Sequence, residues 1–186
     1  LPKKKKVLFI PLFIDQEQKN INLFSENIFF NNWLLEENDK YQLHYILPSE
    51  DLDDIQLIKS KYDFLEEYDF NEIVSKYSLD SHIISLIFKN NKDLRILSKI
   101  KLSDMMLLDN RVFQNFEREN LLEIVSQFKN VYEDYWKNEN QINTSIRLPL
   151  TIAINNDDDK KIRKFVNTIE NFDLVSSFNV TKLDNK

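Results

Sequence analysis

Glycine and cysteine are absent from this 186-residue sequence, and alanine occurs once, at Ala153. Average usage would place roughly a dozen glycines in a chain of this length. Without them no P-loop, GxGxxG dinucleotide fingerprint, GxSxG nucleophile elbow or EF-hand loop can form, because each needs a residue without a Cβ where the backbone closes in. Without cysteine there is no disulfide, thiolate zinc site, iron–sulfur cluster or cysteine nucleophile. Apolar runs are short: Val7–Ile14 and Ile83–Phe88 fall far below the roughly 20 residues of a membrane span, so no transmembrane segment is expected.

Present instead are many Lys, Asn, Ile and Phe. Five of the 25 basic residues are Arg and the rest are Lys, a bias that reads as an AT-rich bacterial genome. Turns that ordinarily take glycine at positive φ are expected to use Asn or Asp. Apolar residues make up 42% and charges 30%, a globular balance. The net charge of −6 and pI near 5.1 argue against nucleic acid as a partner. The one basic run, Lys3–Lys6, precedes a strand and reads as a solvated end. The chain opens on Leu1 rather than Met, which fits a leader removed upstream or a trimmed end.

Periodicity predicts strands at Lys6–Phe13, Gln42–Leu47, His82–Phe88 and Leu94–Leu102, the last alternating cleanly behind the glycine-free turn Asn90–Asp93. Helices are predicted over Phe24–Leu35, from a cap at Ser49 or Asp51 to about Lys61, over Asp69–Tyr77, and over Val112–Lys137. Met105–Leu108 is expected to pack beneath that last helix. After a polar linker at Asn138–Asn143, a strand at Ser145–Ile154, a helix at Asp157–Asn171 and a strand at Leu174–Thr181 make a βαβ unit. The fold class is therefore α/β (α+β), a mixed sheet with helices packed on it in βαβααββα order. Residues 1–138 form one domain, and residues 144–186 a small βαβ unit (half ferredoxin-like).

Glu50, Asp51, Asp53 and Asp54 form the dense carboxylate group at a strand end. Such a loop can bind a divalent cation or serve as an acid–base pair, or it can cap and face the positive end of a helix. Asp157–Asp159 reads as a helix N-terminus. His44 and His82 lie on strands without HxH or HExxH spacing, although two histidines can meet across adjacent strands. Phe29, Phe30, Trp33 and Trp136 read as packing residues. No catalytic constellation emerges, no cofactor is expected, and Glu50, Asp51 and Asp54 are the metal candidates.

Taken in order, several segments resemble an uncharacterised bacterial envelope-protein family, domain of unknown function twenty-sixty-six. Val7–Phe13 matches its opening strand of the type VLVLPVF, with Pro11 in place. Asn27, Phe29 and Trp33 keep the spacing of N-P-W-x-x-x-W, with Ile28 at the usual proline. Pro48, Asp51 and Asp54 fit P-x-G-D-x-x-D, with Glu50 in place of glycine. Lys76-Tyr77 before a strand and Trp136 near the end of a long helix also agree. The first half is similar in element order to the TolB N-terminal-type module and to curli-secretion and lipoprotein-activator relatives. The resemblance implies an exported, periplasmic envelope protein without known activity, acting through a protein partner, with Pro11, Asn27, Trp33, Pro48, Asp51, Asp54 and Tyr77 as the motif residues. The alternatives carried forward are a divalent-metal-binding domain or metal-dependent hydrolase at the acidic loop, and a cytoplasmic regulatory domain. An open strand edge in the final βαβ unit would also permit a homodimer.

Overall fold

A computed structural model describes residues 4–35, 41–140, 150–152, 159–170, 175 and 177–179. The chain divides into two units, Leu1–Asn140 and Gln141–Lys186. The first is built on one mixed sheet. Its strands are β1 (Lys5–Asp15), β2 (Asn20–Asn22), β3 (Leu43–Ile46), β4 (His82–Asn90), β5 (Asp93–Leu102) and β6 (Met105–Phe113). The lateral order is β2-β1-β4-β5-β6, and β3 also pairs with β1. β1 runs parallel to β3 and β4, while the β4–β5 and β5–β6 pairs are antiparallel hairpins.

β1 has apolar residues on both faces because both faces are covered. Val7, Phe9 and Phe13 point into a core shared with α1 (Ile28–Leu35) and α4 (Leu121–Glu139). Leu8, Ile10, Leu12 and Ile14 point into the opposite core, against α2 (Leu52–Ser60) and α3 (Asn71–Val74). The two helical layers do not reach equally far. α4 presents Leu121, Ile124, Val125, Phe128 and Tyr132 to one face, where Leu94, Ile96, Ile100 and Leu102 of β5 and Met105, Leu107 and Phe113 of β6 join the same cluster. On the other face the α2–α3 layer takes in Leu97 of β5, and the outward residues of β6 lie beyond it.

Pro11 sits in the middle of a central strand, a place where a missing N–H ordinarily breaks a ladder. Leu8 donates its N–H to Ser81 beside β4, and Lys5 donates to Gln42 beside β3. Alternation therefore turns residue 11 toward the β3/β2 side. β3 covers residues 5–8 on that side and β2 covers 13–15, so Pro11 falls in the gap between them.

The absence of glycine is felt in the backbone. Lys19, Phe24, Phe70, Ser78, Asn91, Ser103 and Asn115 have positive φ. Asn91 and Asn115 follow the expectation, and the other five depart from it. Phe70 is fully buried at φ 59°. A left-handed conformation costs an L-residue about 1–2 kcal/mol, which is within what burying a phenylalanine side chain returns.

Two sequence boundaries change. Val112 and Phe113 belong to β6, and the long helix begins only at Leu121, after a single turn of 3-10 helix at Arg118–Asn120. Met105–Leu108 is likewise strand: Met105 and Leu107 pack on the α4 core as expected, whereas Met106 and Leu108 face solvent. Leu34, which shares the helical spacing of Phe29, Phe30 and Trp33, is exposed. In the second unit the predicted helix is present as α5 (Asp159–Glu170). The flanking strands of the βαβ unit fall largely outside the described residues. The described residues 150–152, 175 and 177–179 are not in strand.

Candidate functional site

The motif residues gather in two groups. In the first, Asn27 is fully buried and precedes α1. Its Oδ1 accepts from the N–H groups of Phe29 (2.9 Å) and Phe30 (3.4 Å), capping the helix, while its Nδ2 donates to the Pro11 carbonyl (3.0 Å). One amide thus closes the helix end and satisfies the carbonyl left open by the gap between β3 and β2. Trp33, on the same helix, stacks on Phe9 with ring centroids 3.8 Å apart and meets Tyr45 edge-on at 5.2 Å. Beneath it lies the buried Lys129 of α4, whose ammonium donates to the Trp33 carbonyl (2.6 Å) and stands 5.2 Å from its ring. One turn on, the buried Glu133 carboxylate accepts from the N–H groups of Gln42 (2.6 Å) and Leu43 (3.2 Å), fixing the start of β3. Sequence reasoning missed Lys129 and Glu133. The signal for them was two opposite charges at i,i+4 flanking Tyr132 in the apolar stripe of α4.

In the second group Asp51 is the N-cap of α2, its Oδ1 accepting from Asp53 (2.8 Å) and Asp54 (3.4 Å) N–H groups. Lys76 bridges Asp51 (2.9 Å) and the buried Asp54 (2.7 Å). The hydrogen bond from Lys76, and then that from the Asp53 N–H, hold the Asp51 carboxyl below its ordinary range, while Asp54 followed by Asp51 raises the Lys76 ammonium. Tyr77 accepts from the Ser49 N–H (3.0 Å). Pro48 and Asp54 meet Pro11 at a cavity of about 10 Å³, room for one water and no substrate. Glu50 and Asp53 face solvent. A cation at Asp51 and Asp54 would have to displace the Lys76 ammonium. Among the described residues no group of three or more His, Asp or Glu is placed to hold a metal.

The remaining polar candidates stay apart. His44 lies opposite Lys6 and His82 opposite Leu8, so β1 runs between them and the histidines do not meet. Burial, and then the Lys101 charge, lower the His82 imidazole. Ser85 and Ser98 face each other across β4 and β5, and both bond the Tyr132 hydroxyl, at 2.8 and 2.6 Å. All three are buried, and burial raises the Tyr132 hydroxyl. This is a cross-sheet tie rather than a nucleophile with access to solvent. A surface depression of about 260 Å³ lies beside Tyr62, Glu66 and Glu67, with Ile14 and Phe88 at its floor. Its Glu66 is paired with Arg95.

What stands out is the bare side of β6. Met106, Leu108 and Val112 are 77%, 70% and 61% exposed on one face of one strand. Their neighbours across β5 are Lys101, Lys99 and Arg95. Two of these are engaged elsewhere: Lys99 donates to the Tyr68 carbonyl (2.7 Å) and Arg95 pairs with Glu66. On the opposite face of β6, Asp109 is bound by Arg111 (2.8 Å) and by the Tyr135 hydroxyl (2.8 Å). Among the described residues β6 pairs with β5 alone, so its other edge offers unpaired backbone groups.

No family model matches the chain, and no curated protein matches it. Among solved structures, the C-terminal domain of LpoB from Salmonella enterica is similar at 10% identity, covering 61% of this chain and 85% of that one with a TM-score of 0.34. A likeness at that level carries no argument about what this chain does. Among the described residues no helix is long and apolar enough to cross a membrane.

Proposed function

We propose that this protein is a non-enzymatic protein-binding module of the cell envelope, exported and periplasmic, and that it binds through β6. The observation that carries the reading is the contrast in how side chains are used. Charged groups that might serve catalysis are committed to internal tasks: Asp51 and Asp54 to α2 and Lys76, Glu133 to β3, Lys129 to α1. The apolar residues Met106, Leu108 and Val112, by contrast, lie outside both cores and are mostly exposed to water. Apolar side chains alternating along an open edge suit the addition of a strand from a partner, main-chain bonds giving affinity and side chains giving choice. The envelope location rests on the residues Pro11, Asn27, Trp33, Pro48, Asp51, Asp54 and Tyr77, through the family resemblance alone.

The test places a photo-crosslinking side chain at Leu108 and, as a control, at Leu35, in cells expressing the native gene. Discrete adducts from Leu108 in the envelope fraction, lost when Met106 and Val112 become Ser, are expected. Adducts equal at both positions, or turnover of a substrate that Asp51→Asn abolishes, would overturn the reading.

A further inference from the structure

Resting on that reading of β6, we infer that the strand this edge accepts is β6 of a second copy, antiparallel and centred on Asn110. β5 and β6 are joined by the two residues Ser103 and Asp104, with Leu102 opposite Met105. A two-residue connection closes on a hydrogen-bonded pair. Alternation then turns the backbone groups of Leu107, Asp109 and Arg111 toward β5, and those of Met106, Leu108, Asn110 and Val112 outward. Only outward groups can bond an added strand, so a two-fold arrangement must centre on an outward residue, or on an inward one flanked by outward pairs.

Charge chooses among these registers. Centring on Asp109 sets Asp109 against itself, and centring on Arg111 sets Arg111 against itself; like charges directly opposite are destabilising. Centring on Leu108 sets Asp109 opposite Leu107 and Arg111 opposite Met105, which covers the half-exposed Arg111 guanidinium without pairing either charge across the edge. Centring on Asn110 sets Asp109 opposite Arg111 twice over. These fall at non-hydrogen-bonded positions, where facing side chains come closest. The same register sets Leu107 opposite Phe113 on the α4 side and Leu108 opposite Val112 on the bare side. Each outward pair exchanges both main-chain hydrogen bonds. The contact is isologous and closed, so it ends at two copies. The Arg111 guanidinium, half exposed and already on Asp109, needs to turn only from its own strand to the adjoining one. A contact confined to one strand edge is small beside an ordinary interface, so the dimer is expected to depend on concentration.

Sedimentation of the full chain over a concentration series tests this. Wild type is expected to pass from monomer to dimer. Asn110→Pro, which removes an outward donor and no bond to β5, is expected to stay monomeric with unchanged melting. Arg111→Asp and Asp109→Arg are each expected to be monomeric alone and to form a heterodimer when mixed. Because Asp109→Arg also removes the acceptor for Tyr135, Asn110→Cys supplies a second readout. In a chain without cysteine it provides the sole thiol, and oxidation is expected to cross-link it where Met106→Cys does not. A wild type that remains monomeric at the highest soluble concentration, or a dimer indifferent to Asn110→Pro, overturns the self-pairing. If the Leu108 crosslinker then still captures another envelope protein, the protein-binding reading stands and only its partner changes. If it captures nothing, both fall.

Discussion

β1 and β6 are strands of similar length in one sheet with opposite surroundings. β1 is covered on both faces, and its edges are taken by β4, β3 and β2. β6 has one face on α4, the other in water, and one edge unpaired among the described residues. Apolar residues along β1 are explained by the fold. Met106, Leu108 and Val112 are not, since leaving them exposed forgoes the roughly 25 cal/mol per Å² that burial returns. The comparison separates residues that hold the molecule together from residues that await something else.

Substitutions can break or sharpen that contrast. Phe9→Ala removes the ring stacked on Trp33 at the most enclosed part of β1, and should destabilise by about 3–5 kcal/mol in denaturant unfolding. Asn27→Ala removes the α1 cap and leaves the Pro11 carbonyl buried without a donor, an expected loss of about 2–3 kcal/mol. Ser103→Gly relieves positive φ in the β5–β6 turn and should stabilise by about 1 kcal/mol in the same unfolding measurement. Leu108→Ser should change stability by less than about 0.5 kcal/mol while abolishing the Asn110-centred association. A large loss of stability in Leu108→Ser would show that β6 belongs with β1 after all.

The second motif group should show in the pH dependence. The Asp51 carboxyl lies below its ordinary value of 3.8 in the fold, so the folded state binds that proton less tightly than the unfolded chain. Its contribution is complete above 3.8 and is lost as pH falls through the lowered value. Lys76→Met should flatten this acid limb of the stability curve. Because Lys76 and Asp51 are partly exposed, high salt should reduce the difference. An acid limb unchanged in Lys76→Met would remove the ion pair from the account.

Much of the fold was legible in the residues. β1, the β4–β5 hairpin and the Asp51 cap follow from two-sided apolarity, strict alternation and a cap residue before a helical pattern. β6 was not legible, because four successive apolar residues at Met105–Leu108 hide its alternation. Val112, Phe113 and Phe116 also fall at spacings a helix would use. The conformation of Phe70 escaped notice because a left-handed phenylalanine is held by packing at a distance, which no local propensity reports. Of the motif residues, Asn27 bonds the Pro11 carbonyl and caps the helix that carries Trp33, while Asp51 and Asp54 share Lys76, and Tyr77 bonds the Ser49 N–H next to Pro48. The surface with most to offer a partner lay outside every motif.

Backbone hydrogen exchange along β6, followed as a function of protein concentration, tests the central claim most directly. The inward N–H groups of Leu107, Asp109 and Arg111 should be protected throughout by β5. Those of Leu108, Asn110 and Val112 should exchange freely in dilute protein and become protected together as concentration rises. Free exchange at these three positions at every concentration, in the presence of envelope extract as well as without it, would contradict the assignment of β6 as the binding edge.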